Sequence, residues 1–272
     1  ALIGVRYIYH ENFKNHATPN VALMYKPGKF NFRASYAAGF RTPTLSELYA
    51  TDIAKKNDRL TIGNLDLKPE KNNYFSLSAE YVHERFSVSV NAFYNNIRDM
   101  IDYNTIATGD KAMEQYGHKE VRQRDNIAEA KVHGINVSAN AYLGAGFNLS
   151  GGYTHLNTQD VELEQPIDKS IKNAYNINAQ WAHSWKIYRL NINLNGRINS
   201  KRFSKSYGYA PEYQLWDLNT RHSFNLKSVI IEPGFGMENL FDYMDDRPYN
   251  SNYATLTPGR SFYISLSLKF KS

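Results

Sequence analysis

The sequence contains no cysteine among its 272 residues. That excludes disulfides, thiolate metal sites and a cysteine nucleophile. Tryptophan is scarce, 3 residues against 21 tyrosines and 14 phenylalanines, so nearly all aromatic surface is Tyr and Phe. No run approaches the ~18 consecutive apolar residues that a membrane-spanning helix needs. No signal peptide opens the chain: Ala1 leads directly into the strand-like "ALIGVRYIY", as expected where a mature domain or a fragment begins. The HExxH, GxSxG and Walker-loop signatures are also missing. The glycine-rich "GAGFNLSGG", Gly144 to Gly152, falls in a hairpin and not in the strand-to-helix turn that cradles phosphate.

What is present is period-two alternation from end to end. In "YRLNINLNGR", Tyr188, Leu190, Ile192 and Leu194 share one face, opposite Arg189, Asn191, Asn193, Asn195 and Arg197. Phe262, Ile264, Leu266, Leu268 and Phe270 do the same against Ser261, Tyr263, Ser265, Ser267 and Lys269. The pattern recurs at Phe75/Leu77/Ala79/Tyr81, Phe86/Val88/Val90/Ala92/Tyr94, Ile135/Val137/Ala139/Ala141/Leu143 and Tyr175/Ile177/Ala179/Trp181. Helical spacing explains none of these, so the chain is all-β. The alternation predicts about 12 strands, starting near Leu2, Asn20, Asn31, Asn73, Arg85, Lys119, Phe147, Lys172, Tyr188, Tyr213, Val229 and Arg260.

Short connections fall near 26–29, 83–84, 144–146, 185–186 and 227–228, and the intervening ones are long and polar. A soluble sandwich or β-solenoid has no reason to sort its loops to one end. An antiparallel transmembrane β-barrel does, with tight periplasmic turns and long extracellular loops. The Asn-, Ser- and Arg-rich face then lines a wet lumen, and the Leu/Ile/Val/Phe face meets lipid. Tyr175, Trp181, Trp185 and Tyr188, which bracket one tight turn, are expected in an aromatic girdle. The strand ending at Phe270 resembles the terminal aromatic signal of bacterial outer-membrane barrels, which puts the tight turns in the periplasm. A net charge of +6 is compatible with surface solvation, or with nucleic acid, anionic lipid or an acidic ligand as partner.

Several stretches resemble the motifs of the TonB-dependent outer-membrane receptors. "GFRTPTLSELY" is similar to that family's FRAP-type box, carried by Phe40, Arg41 and Pro43. "GNLDLKPEKNNYFSLSAEY" is similar to its N-P-N-L-K-P-E box, carried by Asn64, Leu67, Pro69 and Glu70. "NAFYNNIRDMID" and "NIAEAKVHGINVSANAYL" resemble the strands that follow. "ENLFDY" with "TPGRSFYISLSLKF" resembles the C-terminal signature, through Asn239, Leu240, Phe241, Pro258, Gly259, Arg260 and Phe270. The resemblance implies a barrel of about 22 strands around an N-terminal plug. Residues 1–272 are accordingly expected to be the C-terminal part of such a barrel, with the plug and first strands absent. A self-sufficient 12-strand barrel is the alternative. The implied function is energised uptake of a ferric siderophore, haem or corrinoid, without a cofactor or bond-making. A passive porin and a 12-strand outer-membrane phospholipase are the alternatives; the latter needs a serine beside an outward histidine such as His155 or His222, and no motif nominates one. The implied location is the outer membrane of a Gram-negative bacterium. Implied partners are the TonB–ExbB–ExbD complex through the missing N-terminal segment, the rest of the barrel, bilayer lipid and lipopolysaccharide, and a surface lipoprotein, with no nucleic acid.

Candidate ligand contacts are expected in extracellular loops. Pro43 cannot donate to a ladder and forces the strand out of the sheet near Thr42. Ser46 and Glu47 between Leu45 and Leu48 suggest a helical turn. Arg41 is a fixed cation for a lumen carboxylate or for an acidic ligand. Glu70, in the stretch that re-enters the barrel, is a candidate rim ion-pair partner. Lys55, Lys56 and Arg59 make the following loop basic. His10, His16 and His118 are placed in loops, with Tyr116 close to His118, while the other five histidines share parity with outward apolar residues. No histidine lies between Arg41 and Leu67, where haem receptors of this family commonly carry one. Arg247, Tyr249 and Tyr253 in the last long loop offer a cation and flat rings for stacking. Asp245–Asp246 lacks the spacing of an EF-hand, and no metal site is expected.

Overall fold

The computed structural model describes residues 1–204, 208–245 and 258–271. A path of hydrogen-bonded antiparallel strands runs through the chain in sequence order. Its members are β1 (Leu2–His10), β2 (Lys14–Tyr25), β3 (Phe30–Arg41), β6 (Glu70–Val82), β7 (Phe86–Thr108), β8 (Glu120–Gly144), β9 (Phe147–Asp160), β10 (Asn173–Trp185), β11 (Tyr188–Asn199), β14 (Tyr213–Asn225), β15 (Val229–Glu238) and β16 (Ser261–Phe270). The connections add α1 (Leu45–Tyr49), the hairpin of β4 (Thr51–Ala54) and β5 (Arg59–Ile62), α2 (Gly109–Tyr116), and the hairpin of β12 (Arg202–Ser204) and β13 (Gly208–Ala210). β1 and β16 are the two edges, so the barrel is not closed by these strands.

Cross-strand register carries the alternation of each strand into rows. Leu23, Ala34, Leu77, Ala92 and Ile135 are successive partners across five strands. On the other face Ser35 meets Ser76 at 2.6 Å, Ser89 meets Ser138 at 2.7 Å, and Asn178 donates to both Asn193 and Asn195. A one-residue slip in any strand would turn a polar row toward lipid, which holds the register. Ile3, Ile264 and Phe270 are typical of the apolar face in lying exposed, at 76%, 84% and 81%. In water such a face would be far larger than a soluble protein tolerates; hydrocarbon is its natural cover.

The tight turns near 26–29, 83–85, 145–146, 186–187 and 226–228 sit at one end, and the short β1–β2 turn at 11–13 lies at the other. Gly28, Ala145, Gly146 and Lys186 take positive φ there, as two- and three-residue hairpins require. Trp181, Trp185 and Tyr188 cluster at this end, Trp185 stacked on Tyr188 at 5.5 Å. Tyr175 does not join them: it stacks on Tyr153 at 4.7 Å, ten residues further along the ladder.

Three expectations change. The connection between β1 and β2 spans only residues 11–13, so His10 ends β1 and His16 lies within β2. The alternation predicts the second strand from near Asn20, whereas β2 begins at Lys14 with Pro19 opposite Val5, and it pairs with β3 only from Asn20 onward. Beyond that point β2 has one partner, and a missing donor is tolerated. β7 runs on to Thr108, past the stretch to Asp102 expected of that strand, through bulges near Asp99 and Ile106, while β8 begins at Glu120 as the start predicted near Lys119 has it. Their outer parts stand beyond the apolar band, so neither face needs hydrophobic alternation. The loop after β3 likewise contains the β4–β5 hairpin, whose β5 pairs in parallel with β8.

Candidate functional site

The site is built where the chain leaves β3. Thr44 caps α1 with a capping box: its hydroxyl accepts from the Glu47 N–H, and Glu47 returns to the Thr44 N–H at 2.8 Å. The same carboxylate receives Arg41 Nη1 at 2.9 Å, and Arg41 Nη2 reaches Glu70 Oε1 at 2.6 Å. Glu70 Oε1 also accepts from the Ile101 N–H at 2.9 Å. Partial burial pushes the Glu47 carboxyl up, but the Arg41 guanidinium and the Thr44 donors outweigh it and hold it at about 2. Glu70 is held below the usual carboxylate range in the same way, with burial opposing Arg41 and the Ile101 amide. One cation thus ties β3, α1 and β6 together, and Glu70 extends the tie to β7. Arg41 is committed to structure.

Beside this clamp a small apolar core of Leu48, Leu67 and Ile101, with Phe13 against it, pins the loop on the rim. Pro43 and Pro69 are buried with it. Asn64 turns the chain by accepting from the Asp66 N–H at 2.9 Å. Gly63 is required where it stands: a Cβ there would lie 2.5 Å from the Leu48 carbonyl oxygen. At the far end of the sheet Asn239, at φ 52°, closes a turn with Tyr243 through two bonds of 2.7 and 2.8 Å. Leu240 donates to Trp216 O, and Phe241 sits edge-on to the Trp216 ring. Gly259 takes φ 82° after Pro258, and the Arg260 N–H reaches Asp242 at 2.8 Å. Phe40 stacks on His16 at 4.4 Å, and Phe270 ends the last strand. The motif residues are therefore turn, rim and strand-end groups.

The cationic face lies above the clamp, on the sheet of β5, β8 and β7. Arg59 pairs with Glu120 and Thr61 with Arg122 across β5 and β8; Arg122 pairs with Thr105 and Arg124 with Tyr103 across β8 and β7. These residues alternate with the buried Val121 and share a face with Asn126, whose amide holds the Lys68 backbone. Arg124 lies over the Tyr103 ring at 3.6 Å and donates to its hydroxyl at 2.5 Å. Arg122 Nε is 2.6 Å from Glu120. Arg59 Nε is buried without a hydrogen-bond partner among the described residues. Three guanidinium groups against Glu120 and, across β4, Asp52 leave an excess of positive charge beside an exposed phenol.

Lys55 and Lys56 lie exposed in the β4–β5 turn, at the edge of this face. His118 Nδ1 is 2.9 Å from Asp58 Oδ1, and the Asp58 carbonyl accepts from the Lys119 N–H, so this pair docks the hairpin on β8. Tyr116 closes α2, which folds back on β7 and β8 with Ala112 fully buried. Arg247, Tyr249 and Tyr253 lie outside the described residues. The sequence expectation reached Arg59 and missed Arg122, Arg124 and Tyr103. The signal was present in "EVRQRD", where Glu120, Arg122 and Arg124 alternate on one face.

The model of the TonB dependent receptor-like β-barrel matches residues 1–240. The chain belongs to the TonB-dependent receptor family. Members of this family are receptors of the Gram-negative outer membrane and not enzymes. Among solved structures this receptor chain is similar to a ferric enterobactin receptor mutant of Pseudomonas aeruginosa, at 19% identity and a TM-score of 0.76 over 99% of this chain and 42% of that one. It is similar to the siderophore receptor PirA of the same organism, at 16% identity and 0.70 over 99% and 45%. BauA, the ferric preacinetobactin receptor of Acinetobacter baumannii, matches at 18% identity and 0.67 over 94% and 36%. The chain spans less than half the length of each, and at these identities the likeness is one of fold.

Proposed function

We propose that this chain forms part of the wall and the outer face of a receptor that imports a ferric siderophore across the outer membrane, energised by the TonB–ExbB–ExbD complex through a segment outside these residues. A plug and further strands outside these residues complete the barrel in this reading, which the two unpaired edges of the sheet support. The observation that carries the ligand class is the face of Arg59, Arg122 and Arg124 with Tyr103. Guanidinium groups bind the anionic oxygens of a catecholate chelate, and the phenol stacks on its rings. Haem and corrinoid are less well served: among the described residues no histidine joins this face except the paired His118. The enterobactin and preacinetobactin named for the similar structures point the same way.

The test uses the full-length receptor and two ferric chelates, enterobactin as the anionic catecholate and a neutral hydroxamate. Replacing Arg122 and Arg124 together by Ala is expected to weaken catecholate binding by tenfold or more, about 1.4 kcal/mol at least. Fluorescence quenching reads the affinity and iron-55 uptake reads the transport. Unchanged affinity and uptake for both chelates overturn the assignment.

A further inference from the structure

Glu120 holds a place on the arginine face that the proposed import does not account for. Its carboxylate takes the Arg122 Nε–H at 2.6 Å, with the Glu120 and Arg122 side chains 26% and 33% exposed. Arg59 is its direct partner across the parallel β5–β8 pairing, so Glu120 stands between two guanidinium groups, one on each strand. Its backbone is fixed by the docking of the β4–β5 hairpin: the Lys119 and Glu120 N–H groups both reach the Asp58 carbonyl, at 3.0 and 3.4 Å. The Arg59 Nε–H is buried and has no hydrogen-bond partner among the described residues. Arg124, two positions beyond Arg122, is already held by Tyr103. Asp52, the other carboxylate of this face, lies opposite Thr61 on the far side of β5 and forms no ion pair among the described residues.

Two guanidinium groups on neighbouring strands make a fork for a small oxyanion, because each offers paired N–H donors to its oxygens. Here a carboxylate from the chain itself already stands in that fork. A large ligand meets the face differently. From Glu120 to Arg124 is four residues along β8, roughly 13 Å at ~3.3 Å per residue. Inorganic phosphate cannot bridge that span; a chelate of several aromatic rings can.

We propose that Glu120 is a resident anion that denies the Arg59–Arg122 fork to small oxyanions. A small anion competes with Glu120 for the same donors and has nothing else to reach, so it gains little by binding. A chelate that also engages Arg124 and Tyr103 keeps those contacts whether or not Glu120 yields Arg122. Glu120 is thus a specificity-determining residue that acts through Arg122, and it selects by reach as well as by charge. The benefit to transport rests on the siderophore reading above; the exclusion of small anions does not.

Equilibrium dialysis of phosphorus-32 phosphate against the full-length receptor, at constant ionic strength, reads the fork directly. The unaltered receptor is expected to bind phosphate weakly. Glu120→Gln keeps the shape of the side chain and removes its charge, and is expected to bind phosphate about tenfold more tightly or better. Glu120→Asp is expected to restore the exclusion. Asp52→Asn removes one negative charge from the same face and is expected to bind phosphate no better than the unaltered receptor. The gain for ferric enterobactin in Glu120→Gln, read by fluorescence quenching, is expected to be several-fold smaller than the gain for phosphate, and phosphate should then compete with the chelate. An unaltered heat-dependent shift on electrophoresis reports correct folding of each variant. Unchanged phosphate binding in Glu120→Gln overturns the inference. An equal gain in Asp52→Asn does so too, because it would mean that only the net charge of the face matters. Phosphate that binds Glu120→Gln without displacing the chelate upholds the resident anion and faults the siderophore assignment of the face instead.

Discussion

Arg41 and Glu70 are direct cross-strand partners on β3 and β6, and their side chains meet at 2.6 Å. The bond closes the ladder at the point where Pro43 would otherwise let the two strands part. Replacing Arg41 by Ala leaves two carboxylates facing each other across the loop base. Removing the shared cation is expected to cost about 1–3 kcal/mol of loop docking, since the hydrogen bonds involved are charge-assisted. Limited proteolysis of intact receptor in detergent should then cut within residues 50–62, where the unaltered protein resists. Resistance equal to the unaltered protein would show that the apolar core alone holds the loop.

Acid should release the same loop in a defined window. Glu47 has a folded value of about 2, below the ordinary carboxylate value near 4.3. A depressed folded value contributes stability that is present above the unfolded value and lost as pH falls through the folded one. The clamp is therefore expected to hold at pH 5 and to fail progressively as pH falls from about 4.3 toward 2. Pepsin cleavage across that range reads the opening. In Glu47→Gln with Glu70→Gln the cleavage should no longer follow pH.

His118 and Asp58 secure four residues of parallel pairing between β5 and β8. The pair is partly exposed, so His118→Ala is expected to cost about 1 kcal/mol or less. The effect should be local: faster amide exchange at Leu60 to Ile62, with the β7–β8 ladder unchanged. Faster exchange throughout β8 would mean that the histidine supports the whole hairpin.

Gly63→Ala places a methyl group 2.5 Å from the Leu48 carbonyl oxygen. Both are backbone positions, so the loop must move. A loss of about 1–3 kcal/mol is expected, as for overpacked cores, with increased proteolysis between Tyr49 and Leu67. Gly28→Ala, where a Cβ would meet nothing within 4 Å, is the comparison. It strains only a positive φ and should leave the rim intact.

The membrane-crossing strands were legible because hydrocarbon constrains every second residue. Tyr188, Leu190, Ile192 and Leu194 face lipid whatever else the chain does. The same rule fails above the bilayer. Tyr103 to Thr108 is strand whose sequence carries no apolar period, whereas the start of β8 at Glu120 was expected from near Lys119. The β4–β5 hairpin was hidden for the same reason, since its order comes from β8, some 60 positions away in register. Arg41 and Glu70 were recognisable as rim ions from their motifs; the sharing of Arg41 with Glu47 depended on the capping box that turns that carboxylate back toward β3.

The edge strands carry one more consequence. β1 runs toward the loop end of the sheet and β16 runs away from it, so the two edges have opposite polarity. Strands can be added between them, or removed from the wall, only in up-and-down pairs. A single strand gained or lost would set two parallel neighbours side by side and place a tight turn on the wrong side of the membrane. The diameter of such a wall changes by whole hairpins.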